Sequence, residues 1–210
     1  MAGTRDRIIV ATNELFRRYG YNGTTLTQIS EASAATIGSI YHFFPGGKEA
    51  LAVAVVETTG AVYRELFESI VAEADDAAAA YVDFFNGAAA VLEESDFIDP
   101  CPIGTIAREV ANTSEPLRRA AKSAFDSWIA AAHAHLTAAG IPDDVAGELA
   151  TLFVSTVEGA FVLCRTQRTT TPLIAASRHL SALVENAIAE PRVLNVVAST
   201  RRSLVDTQPR

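Results

Sequence analysis

A chain of 210 residues, 49% of them hydrophobic, is long enough to bury a sizeable core and too apolar to be a solvated tail. Its formal charge of -8 argues against wrapping nucleic acid over the whole surface, yet residues 1–50 carry five Lys/Arg against four Asp/Glu, leaving a net -9 for the rest. Cys101 and Cys164 lack metal-ligand spacing, the chain opens without a leader-like segment, and no apolar run approaches the roughly 18 residues of a membrane span, so a cytoplasmic protein without a membrane partner is expected.

Strand-like alternation is scarce and helical periodicity is frequent, which predicts an all-α fold of about nine helices. The first helix carries Ile8, Ala11, Leu15 and Phe16 on one face and stops near Gly20. Thr25 or Thr27 then caps a short helix whose buried side is Leu26, Ile29 and Ala32. After the small residues Ser33, Ala34 and Ala35, Thr36 caps another helix that runs to Phe44, where Pro45 disfavours helical geometry. Ile40 and Phe44 are four apart and face the core, while Ser39, Tyr41 and His42 fall on the other side, toward phosphates and base edges. Two short helices joined by a tight turn read as a helix-turn-helix, although a plain helical hairpin has the same periodicity.

The following helix, 48 to about 71, carries Leu51, Val55, Val62, Leu66 and Ile70, and starts with Lys48, whose ammonium is placed to meet a phosphate. Tyr81, Phe84, Phe85, Ala88, Val91 and Leu92 form the next stripe, broken by residues 96 to 100. A short helix spans 103 to about 112; Ser114 caps another, with Pro116 in its first turn and a stripe of Leu117, Ala121, Ala124, Phe125, Trp128, Ile129, Ala132 and Leu136, stopped by Gly140. Residues 143 to about 167 place Leu149, Leu152, Phe153, Val157, Ala160, Phe161 and Cys164 on one broad face and Val154, Val162 and Leu163 on much of the other. A helix apolar nearly all round is buried on both sides, and a second copy of the chain is the economical second partner. Thr171 and Pro172 start the last helix, with Leu173, Ala176, Leu180, Leu183, Val184, Ala187 and Ile188. The candidate dimer face is Phe153, Val157, Ala160, Phe161, Cys164, Leu180, Leu183, Val184 and Ala187.

The head resembles the N-terminal domain of the TetR family of bacterial repressors. The resemblance rests on the helix-1 residues, the Tyr19-Gly20-Tyr21 exit, the Thr24-Thr25 entry and the block Gly38-Ser39-Ile40-Tyr41-His42-Phe43-Phe44-Pro45. The paired glycines before Lys48 and Glu49, with the mid-chain block Cys101-Pro102-Ile103-Gly104-Thr105-Ile106-Ala107-Arg108-Glu109, are similar to the LmrA/YxaF-like subgroup. That resemblance implies residues 1–47 as a DNA-binding head, 48–190 as an effector-binding and dimerisation body, and 191–210 as a partly ordered tail. It implies a homodimeric repressor that holds a palindromic double-stranded operator with two recognition helices about one DNA turn apart. A small apolar effector would release it. Candidate DNA contacts are Thr25, Thr27, Gln28, Thr36, Ile37, Ser39, Tyr41, His42 and Lys48. The subgroup has glycine where Ala34 stands, proline at Thr36, a basic residue at Ile37 and often histidine at Phe43. Ala34 therefore signals either a turn without positive φ or a small strain cost, and Ile37 either a lost phosphate contact or a thymine-methyl contact.

Aromatic residues at helical spacing are more often core than binding site. With that weighed, Phe67, Phe84, Phe85, Ile103, Ile106, Phe125, Trp128 and Phe153 are the candidate effector-pocket residues, with Thr156 and His135 as polar contacts; His135 fits a hydrogen-bonded core histidine equally well. No catalytic motif, metal set or cofactor fingerprint is present, so an enzyme is not expected. Cys101 suits a small buried thiol better than a redox sensor. The competing reading is a helical small-molecule-binding protein with weak or no DNA binding.

Overall fold

Helices begin where short polar side chains take up the free amides of the first turn, and this chain supplies those side chains locally. The computed structural model describes residues 3–98 and 101–189, and among them are nine helices: α1 (Thr4–Tyr19), α2 (Leu26–Ser33), α3 (Ile37–Phe43), α4 (Gly47–Glu73), α5 (Ala77–Glu94), α6 (Pro102–Val110), α7 (Glu115–Ala138), α8 (Asp143–Gln167) and α9 (Thr171–Ala189). Of the two threonines, Thr25 caps α2: its hydroxyl accepts from the Gln28 amide at 3.3 Å while Gln28 Oε1 accepts from the Thr25 amide at 2.7 Å. Thr36 caps α3 through the Ser39 amide at 3.1 Å, Asp76 takes two amides of α5 at 2.8 Å, and Ser114 takes the Leu117 amide at 3.3 Å. The predicted tail, 191–210, lies outside the described residues.

Ala34 adopts the left-handed conformation, φ 50° and ψ 38°, so the strain alternative holds. The turn is held by the Ser30 hydroxyl, which donates to the Ala35 carbonyl at 2.6 Å. A left-handed alanine costs about 1–2 kcal/mol, and a glycine returns part of any gain through its freer unfolded state. Ala34→Gly is therefore expected to stabilise the protein by about 1 kcal/mol, read by chemical denaturation; a destabilised variant would show that this turn carries no strain.

The apolar residues divide into two clusters. One joins Phe16, Ile29, Ile40 and Phe44 of the head to Leu51, Val55 and Val56 of α4, Ile103 and Ile106 of α6, and Leu117 and Ala121 of α7. The other gathers Tyr81, Phe85, Leu136, Phe153, Leu173 and Val184 from α5, α7, α8 and α9. Phe125, Trp128 and Phe161 are partly buried and pack against both. The head core thus runs without a break into α4 and α6, so a movement of either is felt at the head. On α4 the buried side is Leu51, Ala52, Val55, Val56, Thr59, Gly60 and Phe67, whereas Val62 and Leu66 face out. Over 27 residues a face drawn through Leu51 and Val55 drifts, and the contact with α7 selects a different line. Ala32 is exposed and Ser33 is buried in its place, its hydroxyl donating to the Ile29 carbonyl at 2.6 Å. Val91 and Leu152 are likewise exposed rather than buried.

Most of the predicted dimer face turns inward within the single chain. Phe153, Val157, Ala160 and Cys164 of α8, and Leu180, Val184 and Ala187 of α9, are buried in the chain's own core, and Phe161 is half-buried against it. Such residues have almost no surface to offer a second copy. Leu183 alone of the proposed set is well exposed, at 44%. The other outward apolar residues of α8 are Leu152, Val162 and Leu163, which share one side of that helix. An all-round apolar helix has two candidate faces, and only its packing against α7 and α9 decides which turns inward. By length and mean hydropathy α8 also passes as long and apolar enough to cross a bilayer, which corrects the expectation that no such stretch exists. Burial of one side in the core accounts for much of that apolarity.

Candidate nucleic-acid interface and effector cavity

On the head, six predicted contacts, Thr25, Thr27, Thr36, Ile37, Tyr41 and His42, are exposed at the surface. Ile37 opens α3 with 42% of its surface exposed. The Tyr41 ring rests on Gly47, where an added Cβ would lie 3.2 Å from Tyr41 Cε1; Gly47 has φ 64°, so both the conformation and the space call for glycine. His42 meets Phe43 edge-on at 5.0 Å between centroids. Several of the predicted contacts are also engaged within the head. Thr25 and Gln28 bond to each other, as do the hydroxyls of Thr36 and Ser39 at 2.9 Å. Lys48 is half-buried with its ammonium 4.3 Å from the Tyr21 ring centroid, rather than reaching outward; burial lowers its pKa and the Glu109 charge opposes that. Arg5, which the sequence reading passes over, lies over the Phe44 ring at 5.5 Å and brings a cation to the end of α3.

The head is tied to the body by α6. Glu109, in the last turn of α6, accepts from the Asn22 amide at 2.7 Å, a bond between residues 87 apart in the chain. The same carboxylate lies so close to Gly20 that an added Cβ would collide with it, and Gly20 has φ 73°. A second tie joins α7 to α4, where the Ser114 hydroxyl donates to Glu49 at 2.6 Å.

The body holds a partly open cavity of about 280 Å³ with an aromatic wall of Tyr63, Phe67, Phe84, Trp128, Phe153 and Phe161. Four predicted pocket residues, Phe67, Phe84, Trp128 and Phe153, line it. Phe85 is fully buried behind Phe84 and Phe153, at 5.9 and 5.8 Å, while Ile103 and Ile106 are fully buried in the head-side core. Phe125 packs edge-on against Trp128 at 5.4 Å, and Thr156, half-buried, is not in the wall. His135 is a core histidine, 3.3 Å from the Ala77 carbonyl and edge-on to Phe67 at 6.2 Å. The indole of Trp128 donates to the Gly60 carbonyl at 2.8 Å, which fixes its ring against α4.

Sequence periodicity misses the polar part of the cavity: Arg17, Arg64, Cys101 and Glu158. Glu158 stands at helical spacing from Val154, Phe161 and Val162 of α8, a carboxylate among apolar neighbours, which is the one local signal that marks it. Burial raises its pKa, against the opposing hydrogen bond of Cys101 and the charge of Arg108. Burial, with the nearby Cys101 and Glu158, pushes the Tyr63 hydroxyl up to about 12 despite Arg17. Burial and then Glu158 hold the Cys101 thiol well above its ordinary value, so it stays protonated and unreactive, as a buried structural cysteine does.

The comparisons agree with this geometry. Residues 8–55 match the model described as bacterial regulatory proteins of the tetR family, and 77–179 the C-terminal domain of LmrA/YxaF-like transcriptional regulators. YxaF of Bacillus subtilis, an HTH-type transcriptional regulator, is 35% identical over 86% of this chain and 95% of its own length. The chain belongs to the TetR family. LmrA of the same organism is 31% identical over 88% of this TetR-family regulator and 96% of the relative. A TetR regulator from Legionella pneumophila superposes with a TM-score of 0.78 at 23% identity, over 87% of this chain and 97% of that one, a likeness of fold. The relatives are transcriptional regulators rather than enzymes, and the head is the DNA-binding part of this one.

Proposed function

We propose that this TetR-family regulator is a cytoplasmic, homodimeric repressor, released from a palindromic operator when a small apolar effector enters the aromatic cavity. The observation that carries this reading is the placement of α6. Cys101, at its start, lines the cavity, and Glu109, near its end, holds Asn22 of the head. An effector that binds more tightly when α6 is displaced shifts the heads away from the spacing of one DNA turn; without such differential affinity nothing moves. In this reading residues 1–47 are the head and 48–190 the effector and dimer body. Leu152, Val162 and Leu163 of α8, with Leu183 of α9, supply the face for a second copy.

Selection of bound DNA from a random pool tests the reading, because it returns site, symmetry and half-site spacing together. A symmetric site with half-sites about 10 base pairs apart is expected, and a site without symmetry would overturn the dimeric repressor. The exposed Ile37 allows a sharper measurement on the selected fragment. Ile37→Arg is expected to tighten binding at low salt and to steepen the slope of log affinity against log salt by about one unit per added phosphate contact, or about two for a dimer. An unchanged slope would move Ile37 away from the backbone.

A further inference from the structure

The aromatic wall of the cavity contains a carboxyl group whose bonding is incomplete. Glu158 Oε1 is shut off from solvent and meets no hydrogen-bond partner among the described residues. Its other oxygen lies close to the backbone of Gly104, where an added Cβ would collide with it, and, beside burial, the carboxyl group acts on Cys101, raising the thiol's pKa. Both residues are at the start of α6.

The cations nearby do not take up the open oxygen. Arg64, which lines the cavity, is 2.7 Å from Glu68 on its own helix. Arg17 meets Glu14 at 3.7 Å, and Arg108 acts on Glu158 through its charge. Burial, the largest influence on Glu158, raises its pKa, and Cys101 and the Arg108 charge only oppose that. Glu158 lines the cavity, and its Oε1 stands without a partner in apolar surroundings, where an unmet polar group is costly and a donor is worth more than in water.

We propose that Glu158 Oε1 is the polar recognition point of the cavity, and that its ligands are aromatic molecules carrying one hydrogen-bond donor, a hydroxyl or a protonated amine. This rests on the reading of the cavity as the effector site. Tyr63, Phe67, Trp128 and Phe153 stack on the rings of such a molecule, and the donor reaches Oε1. Because the same carboxyl group lies against Gly104 at the start of α6, a ligand that draws it into the cavity unloads the first turn of α6, and Glu109 at the other end carries the change to Asn22.

The full chain is titrated calorimetrically with 1-naphthol and with 1-methoxynaphthalene, which keeps the rings and removes the donor. Wild-type protein is expected to bind 1-naphthol about tenfold more tightly. Glu158→Met is expected to bind both alike. Should that variant fail to fold, Glu158→Asp, which draws the carboxylate back by one methylene, is expected to lose the same preference. Equal affinities in the wild type, or a preference that survives in either variant, would overturn the donor assignment and leave the cavity as a binding site. If neither probe binds wild-type protein, both the assignment and the effector reading fall. Hydrogen exchange at the Asn22 amide is expected to quicken with 1-naphthol bound and not with the methoxy probe; an unchanged Asn22 amide with 1-naphthol bound would overturn the transmission through α6.

Discussion

Leu163→Glu is expected to leave the protein monomeric and to lower its affinity for the selected DNA by about a thousandfold or more. Leu163 is 49% exposed on the outer side of α8, beside Val162 and on the same side as the exposed Gly159, about one turn earlier, and Leu152, about three turns earlier. In a twofold interface the substitution appears twice, and each unpaired carboxylate taken out of water costs about 3–5 kcal/mol. That is enough to dissociate an ordinary dimer. A monomer holds one half-site only, so the loss at the DNA follows although the head is untouched. Sedimentation or light scattering reads the mass, gel shift at stated salt reads the DNA, and circular dichroism checks that the helices persist. A dimer of unchanged affinity would place the interface elsewhere than on this face.

Gly60→Val is expected to destabilise the fold by about 3 kcal/mol, a fall in Tm of about 6–12 °C for a chain of this size. At Gly60, α4 and α7 come so close that a Cβ would stand 2.9 Å from Ala124 Cβ and 3.6 Å from Ile103 Cδ1. Neither neighbour is a flexible polar end that can swing away, so the helices themselves must part. Gly60→Ala is the milder comparison: it meets the same contact but gains about 1 kcal/mol of helix propensity. Trp128 bonds the Gly60 carbonyl and is the single tryptophan of the chain, so its fluorescence reports the separation directly. Tolerance of valine, with unchanged Trp128 emission, would show that α4 and α7 are not closely packed there.

The two substitutions mark different limits of what a sequence discloses. Gly60 lies within a helix and carries no turn signal, so its reason for being glycine is a neighbour 64 residues away. Leu163 is legible as apolar, but not as outward. The same holds for the pocket. Phe67, Phe84, Trp128 and Phe153 were recognisable as large aromatics on stripes, yet Phe85, on the same helix as Phe84, turns into the core behind it. The hydrogen-bonded pairs Thr25 with Gln28 and Thr36 with Ser39 also explain why residues that suit DNA contact serve first as helix caps.

By itself, the sequence determined the helix starts at Thr36 and Ser114, narrowed that of α2 to Thr25 or Thr27, and gave the stop at Gly140, the all-α class and the family. Each of these rests on groups within a few residues of one another or on motifs read in order along the chain. The tertiary structure decided which side of α8 is inward, which aromatics face the cavity, and that Glu158 meets Gly104 and Glu109 meets Asn22. Those outcomes depend on the packing of helices distant in sequence, and helical periodicity states that a face is apolar without stating what it packs against.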